Sequence, residues 1–594
     1  MAKLEEAQYI ATSLGGGATV NLDITDADSE LQGRLLAQDG GAINMTLGTG
    51  VKARMSLFEH DEADAAARID WLPVSIHANE AFPEIDKTRT PQAGKIKLTL
   101  EDGSVWNAYG DKANELDDLE LNGGRANLEG VGSPTEYNVA LRTNNLEGSG
   151  GKFQLRINTD EDVARSQVIR IAQSSSGTHQ LDFNNAGHAV ATKKPILVVE
   201  SVNGKDHPEK FQAVFTSGNE VEVGELRYQL GSTDAVNREA TQGEHPESGL
   251  PDEQNLKNWY LYPVYSKSNP NPDPGTDPDT PSDPNPIAFT DTALSGLGTT
   301  ALHYLAGTAS IETLRQRLGD VHQFMTTDQG NTPWVKLIGE NWSLDRVTGL
   351  SNWNFNRRGA ELGIDHRINE HAVAGAFFAY DHLSTEAGLP SSIKGNHMML
   401  GLYWTHLWDN RTYLDTVLRL GRTESKFGNN DTVGATVKDD HISSYYQGIS
   451  VELGRQYSLN SSWTIEPQAQ IAYTRFGHIN VGATNGLSAH TAAYDSLITR
   501  LGVTTDWHHT TESGRPWTFY GKLQAEREWL AKPDVVFNGQ NHYDLTFKDT
   551  RLVYGLGVES TMGKATSWHV SLERSNGHHF QKDWRIDAGL RIPF

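Results

Sequence analysis

The sequence predicts an all-β protein in two parts: a right-handed parallel β-helix of short strands, then a transmembrane β-barrel. Three observations carry that prediction. The first is the end of the chain, residues 584–594. Trp584, Ile586, Ala588, Leu590, Ile592 and Phe594 are apolar, whereas Arg585, Asp587, Gly589, Arg591 and Pro593 are charged, small or proline. Successive strand residues face opposite ways, so one face is greasy and the other charged. About ten residues is the length of a tilted strand crossing a bilayer, and apolar-out, polar-in alternation is how a barrel meets lipid and water. The second is that the same alternation recurs through the C-terminal half. The third is that the N-terminal half consists of short β runs broken by Gly and Asn, without helical periodicity. No 18-residue apolar run occurs and the mean hydropathy is -0.53, so no transmembrane helix is expected.

Residues 1–99 read as β-helix coils. Within them the Ala-rich, acidic stretch 59–69 departs from the pattern, as a helix or protruding loop. Asp23, Asp26 and Asp28 crowd together without the spacing or glycine of an EF-hand, which favours a solvated turn. The first residues have no apolar h-region and no small-residue cleavage site, so an exported chain is expected to begin upstream of Met1. Residues 100–266 carry denser β runs, at 106–111 (Trp-Asn-Ala-Tyr-Gly-Asp), 119–124, 146–153, 177–182 and 258–261.

Residues 267–286 are almost wholly Pro, Asp, Asn, Ser and Thr, an extended spacer that cannot form a core. Residues 287–325 hold the best helix candidate. Thr290 or Asp291 is placed to cap it, and Leu302, Leu305, Ile311, Leu314, Leu318 and Val321 recur at three- and four-residue spacing. Glycines 296, 298 and 307 weaken its first half. The later part, 311–320, is expected to be the firm helix, ending near Gly319.

Residues 326–594 supply the barrel strands. Met398, Leu400, Leu402, Trp404 and Trp408 form one outer face, and Leu414, Leu418 and Leu420 flank Asp415 and Arg419 in another. Ile465, Ala469, Ile471 and Tyr473 oppose Glu466, Gln468 and Gln470. Leu497, Leu501 and Val503 oppose Ser496 and Arg500, and Phe519 and Leu523 oppose Lys522, Gln524 and Glu526. Leu552, Tyr554, Leu556, Val558, then Trp568, Val570 and Leu572, continue the series. Turns at 428–431, 482–486 and 538–541 are expected to divide the strands. Aromatics near segment ends suit an interfacial girdle. Arg527, on an apolar register, belongs at the rim.

The net charge of -25 is unevenly shared, -21 over residues 1–286 and -4 over 287–594. An acidic half joined to a near-neutral half suggests regions working in different places. Acidity without Lys/Arg clusters excludes nucleic acid as a partner. The absence of cysteine excludes disulfide frameworks, thiol catalysis and cysteine-ligated zinc. No G-x-S-x-G, H-E-x-x-H or P-loop motif occurs, so no catalytic, metal or cofactor residue is assigned. The histidine pairs at 508–509 and 578–579 are explained by polarity at strand ends.

A linker, a helix closing on Leu-Arg-Gln-Arg-Leu-Gly-Asp-Val at 314–321, Trp334-Val-Lys336 and alternating strands to a terminal Phe together resemble an autotransporter of the type V secretion class. The resemblance implies a monomeric twelve-stranded barrel with the helix in its lumen. Leu314, Arg315, Arg317 and Asp320 would lie on that lumen helix. Trp584, Ile586, Leu590, Ile592 and Phe594 would form the C-terminal assembly signal. The runs in 100–266 resemble a pertactin-like passenger cap. The function implied is an outer-membrane anchor that helps carry its own passenger to the cell surface, the passenger being adhesin-like and not an enzyme. A surface-displayed hydrolase and a plain outer-membrane pore are the alternatives. Implied partners are outer-membrane lipid, the barrel assembly machinery, periplasmic chaperones and a host-surface receptor.

The resemblance also bears on processing. Some relatives cut at an Asn-Asn pair in the lumen helix, and Glu312 and Thr313 stand at that place here, so no cleavage is expected. Register alone ranks Leu590→Arg as more damaging than Arg591→Leu.

Overall fold

The computed structural model describes residues 9–14, 17–38, 40–58, 94–132, 139–158, 165–183, 187–193, 195–201, 210–213, 220–232, 257–264, 288–319, 330–345, 347–350, 352–385, 391–431, 434–512, 514–562 and 566–592. The stretch 59–69, the linker 267–286, Asp320 and Phe594 lie outside the described residues. The chain forms two compact units, the first built of residues up to Ala288 and the second of residues from Phe289 on.

In the first unit the chain visits two sheets in turn. Tyr9–Leu14, Glu30–Gln38, Lys52–Phe58, Val105–Gly110, Arg125–Val131, Lys152–Leu155 and Thr178–Phe183 follow one another in one sheet. Thr19–Ile24, Ala42–Leu47, Lys95–Leu100, Asn114–Asn122, Val139–Ser149 and Val168–Ser175 follow one another in the other. Neighbours are parallel in both, which is a parallel β-helix. Equivalent residues stack inside it. Ala53, Trp106, Ala126, Phe153 and Leu181 are in register through the first sheet, and Met45, Leu98, Leu119 and Leu146 through the second. All are buried. Two alanines flank the Trp106 indole and leave it room, and its Nε1 donates to the Met55 carbonyl at 3.1 Å. The first sheet ends on Lys210–Ala213, parallel to Thr178–Phe183, and in the second the parallel pattern ends at Ile196–Ser201, which pairs antiparallel with Lys257–Pro263, followed by Leu226–Ser232 and Glu220–Val223. The Asp23–Asp28 region forms the expected turn, with Asp26 Oδ1 accepting from the Asp28 amide at 3.2 Å.

The second unit is a closed barrel of twelve strands: β1 (Asn331–Leu344), β2 (Trp353–Asn369), β3 (Ala372–Thr385), β4 (Ser392–Leu407), β5 (Thr412–Asn430), β6 (Thr436–Arg455), β7 (Trp463–Phe476), β8 (Tyr494–Thr510), β9 (Pro516–Glu528), β10 (Thr550–Met562), β11 (Thr566–Asn576) and β12 (Phe580–Arg591). Each pairs antiparallel with its neighbour, and β1 with β12 closes the ring. Connections are tight at one end, as at 370–371 and 408–411, and long at the other, as at 477–493 and 529–549. In outer-membrane barrels short turns face the periplasm and long loops the exterior.

The alternation read from sequence is the inside–outside pattern of the wall. Leu556 and Leu501 are 69% and 66% exposed, whereas Arg357 and Arg585 are 2% and 1% exposed. Trp404, Trp408, Trp463 and Trp507 lie outward near the short-turn end. Arg527 is one residue from the end of β9, with its guanidinium 4.2 Å from the Trp529 ring.

Two of the expected turns fall between wall strands, as read from the sequence, and each also closes a hairpin. The turns at 482–486 and 538–541 close the hairpins Ile479–Gly482/Ser488–Thr491 and Asp534–Phe537/Asn541–Asp544, which join into a separate four-stranded sheet. Val481, Leu487, Val535 and Phe537 are buried in the same apolar cluster as the lumen helix. These loops turn apolar residues inward, so their alternation mimics a wall strand.

Candidate functional site

The lumen is where the second unit departs from an empty barrel. Helix α1 (Asp291–Ala309) and the short helix α2 (Leu314–Leu318) run through it. Thr290 caps α1, its side chain accepting from the Ala293 amide at 3.1 Å. Almost every α1 residue is buried, whichever face it occupies, because wall surrounds it.

Around α1 the lining is apolar. Leu297, Leu302 and Leu305 pack with Leu344, Trp353, Ile393, Phe427 and Phe537. The Tyr304 ring stacks on Phe547 at 4.3 Å, and its hydroxyl donates to Glu528 at 3.0 Å. The glycines that weaken the helix in isolation are what let it fit. A Cβ at Gly298 would lie 2.4 Å from the Trp353 ring, and one at Gly307 would lie 2.4 Å from Phe476.

Between the helices the lining turns ionic. Residues 311–313 are not helical, contrary to the expectation of a firm helix over 311–320. The cause lies in the wall, whose donors take carbonyls that helix amides would otherwise use. Arg419 donates to the Gly307 carbonyl at 3.3 Å, Arg357 to Ala309 at 3.1 Å, Arg500 to Ile311 at 2.9 Å and Gln470 to Glu312 at 2.8 Å. Thr313 then opens α2 with a capping box completed by Gln316, and Gly319 ends it.

Of the predicted lumen residues, the three that are described, Leu314, Arg315 and Arg317, lie together in this ionic lining. Leu314 is buried, and its amide donates to the Glu452 carboxylate at 3.3 Å. Arg315 bridges Asp506, at 2.7 Å, and Glu559, with its guanidinium 4.3 Å from the Tyr520 ring. Arg317 pairs with Asp415 at 2.6 Å and lies 4.3 Å from the Tyr403 ring. Sequence reasoning assigned no lumen role to Lys336, Glu340, Arg357 or Glu361, and read Glu312 only as standing at the place of a cleaved pair. Glu312 pairs with Lys336 and Arg585, Lys336 also with Glu361 at 2.8 Å, and Arg357 with Glu340 and Asp381, each at 3.0 Å. The only sequence signal of the four strand residues was charge on the inward register. The cavity beside the break measures about 10 Å³, room for roughly one water. Among the described residues, no cluster of three or more histidines and carboxylates is arranged to hold a metal.

Of the terminal-strand set, Trp584, Ile586 and Ile592 point outward and are 41%, 48% and 47% exposed. Leu590 is half-buried on the same register, and Arg585, Asp587 and Arg591 face the lumen.

Comparison with known proteins gives matches in both units. Residues 333–573 match the family "Autotransporter beta-domain" and residues 116–241 the family "Pertactin". The pertactin autotransporter of Bordetella bronchiseptica is 27% identical over 76% of this chain and 48% of its own length. The BrkA autotransporter of Bordetella pertussis is 24% identical over 84% of this chain and 44% of its own. The autotransporter adhesin/invasin TibA of Escherichia coli is 25% identical over 84% and 51%. The chain spans about half the length of these relatives. Among solved structures, the β-domain of BrkA aligns with 24% identity and a TM-score of 0.39, over 45% of this chain and all of that one.

Proposed function

Because the chain belongs to the autotransporters, we propose that residues 326–594 anchor it in the outer membrane and help carry residues 1–266 to the cell surface. On this reading residues 267–286 are the linker and residues 287–325 the lumen segment. The observation that carries the proposal is the direction of α1. Its first turn lies among residues of the long-loop end, with Ser295 Oγ donating to Ser391 Oγ at 2.6 Å, whereas Arg317 reaches Asp415 near the short-turn end. Chain upstream of the helix therefore leaves on the exterior side. A lumen filled by the helix favours an anchor over a plain pore.

The passenger reads as an adhesin-like binding domain for a host-surface receptor, not an enzyme, in keeping with an adhesin/invasin among the relatives. Trp584, Ile586, Leu590, Ile592 and Phe594 serve as the signal read by the assembly machinery, with periplasmic chaperones handling the chain beforehand, and the barrel works as a monomer. The test is proteinase K treatment of intact cells. The proposal expects passenger epitopes to be lost while the barrel persists. Passenger protected until the outer membrane is permeabilised would overturn it.

A further inference from the structure

The lipid-facing wall carries a feature that anchoring alone does not require. Toward the long-loop end, strands β3 to β7 enclose an outward groove of about 620 Å³. Phe378, Met398, Leu400, Leu420 and Tyr445 line it, with Arg422 and Arg475 at its border. The apolar residues are cross-strand neighbours. Phe378 faces Leu400, which faces Leu420, and one row further out Met398 faces Arg422, which faces Tyr445.

Above that row, toward the exterior, the charges are arranged in an unusual way. Lys394 on β4 and Lys426 on β5 are directly paired in register, and both are exposed on the outer face. Like charges directly opposite each other on neighbouring strands are destabilising. Neither lysine makes a direct ion pair with a described residue; the charge of Asp440, itself paired with Lys438 at 2.6 Å, acts on Lys426 from the neighbouring strand. Four residues below Lys426, about 13 Å along the strand, lies Arg422. It gives one nitrogen to Glu424 at 2.6 Å, while its Nε is buried without a hydrogen-bond partner. Arg475 gives one nitrogen to Asp495 at 2.9 Å. A guanidinium has five N–H groups, so both arginines keep donors in hand.

From this juxtaposition we infer that the outer face of β3 to β7 binds a phosphate-bearing lipid of the outer leaflet. A phosphate lies between Lys394 and Lys426 and removes their mutual repulsion. A terminal guanidinium N–H of Arg422 not engaged by Glu424 donates to an oxygen of the lipid's linkage region, the side chain being 43% exposed, and one acyl chain fills the groove over Leu400 and Leu420. The order from exterior to mid-membrane is cations, then a hydrogen-bond donor, then an apolar trough. That is the order of groups along such a lipid. A lipid without phosphate would bring no anion between the two lysines, and a free phosphate would leave the groove unfilled. The site rests on the barrel being embedded in its membrane and is independent of what the passenger does.

The test is native mass spectrometry of the full chain in zwitterionic detergent, titrated with lipid A. A stoichiometric lipid adduct is expected on the wild-type protein. The Lys394→Gln/Lys426→Gln double variant loses two charge-assisted contacts and should bind about tenfold more weakly or worse. Lipid A stripped of its phosphates should bind wild type as weakly as lipid A binds the variant. Inorganic phosphate at equal concentration should not displace the lipid. Equal adducts on wild type and variant, equal binding of the dephosphorylated lipid, or displacement by inorganic phosphate would each overturn the inference. So would a dimer of the chain in place of a lipid adduct. Heat-modifiable gel mobility reports whether the variant folds. The comparison of the two lipids on wild type decides the matter whether or not it does.

Discussion

Lys336 on the first barrel strand and Glu312 in the helix break form an ion pair whose side chains are 0% and 5% exposed. Breaking a buried pair by removing one partner leaves a charge stranded in low dielectric, which costs about 3–5 kcal/mol. Lys336→Met should therefore lower the temperature at which the barrel loses its heat-modifiable gel mobility. Glu312→Gln should cost less, since Lys336 keeps Glu361 and Arg585 keeps Glu340 and Asp587, whereas Lys336→Met leaves Glu361 without its cation. An unchanged transition in Lys336→Met would show that the pair contributes nothing net.

The terminal strand tests the register. Ile586 is outward at mid-strand, so Ile586→Arg should cost about 2–4 kcal/mol. Leu590 is outward but next to last in β12, near the short-turn interface, where a charge costs only about 0–1 kcal/mol. Arg591 pairs with the buried carboxylate of Asp365. The ranking from register alone is thus reversed: Arg591→Leu should destabilise more than Leu590→Arg. Denaturant titration of the refolded protein in lipid vesicles measures all three.

Assembly makes a separate demand. Phe594→Asp removes the terminal aromatic of the proposed signal strand and should reduce the folded barrel recovered from outer membranes. Undiminished recovery would remove Phe594 from the signal.

Processing should be absent at Glu312 and Thr313. The Glu312 carboxylate is held by Lys336 and Arg585, and its carbonyl accepts from Gln470, so the group is fixed as an ion-pair partner rather than a free nucleophile. Immunoblots with antibodies to each half should show one polypeptide of at least 65.4 kDa. A barrel fragment beginning near Thr313 would refute this.

The passenger should respond to acid through Glu120. A hydrogen bond from Asn122, with Lys97 close by, holds its carboxyl below the usual carboxylate range against the opposing effect of burial. A lowered pKa adds stability that is present above the unfolded-state value and lost as pH falls through the folded value. Glu120→Gln should flatten the fall in passenger melting temperature below about pH 4.5. The effect is small, because the side chain is largely solvated. Parallel curves for the two proteins would exclude a role for Glu120.

Wall orientation was legible because lipid and lumen demand opposite residues at alternate positions. Ile586 and Arg585 declare their faces without any knowledge of neighbours. The β-helix interior was legible for a similar reason, since Trp106, Leu119, Leu146, Phe153 and Leu181 all sit in quoted runs and all are buried. The helix break was hidden, because it depends on Arg357, Arg419 and Arg500 reaching in from strands β2, β5 and β8. Local periodicity around Ile311 carries no trace of donors so distant in sequence. The inner hairpins were hidden because Val535 and Phe537 alternate like wall residues while facing a helix instead of lipid.

Glu312 touches Lys336 on β1 and Arg585 on β12, the two strands whose pairing completes the ring. Seating the helix and closing the barrel therefore share a carboxylate, and by reciprocity each must favour the other by the same free energy. A barrel severed from its helix should have a weaker seam, and an opened seam should loosen its hold on the helix.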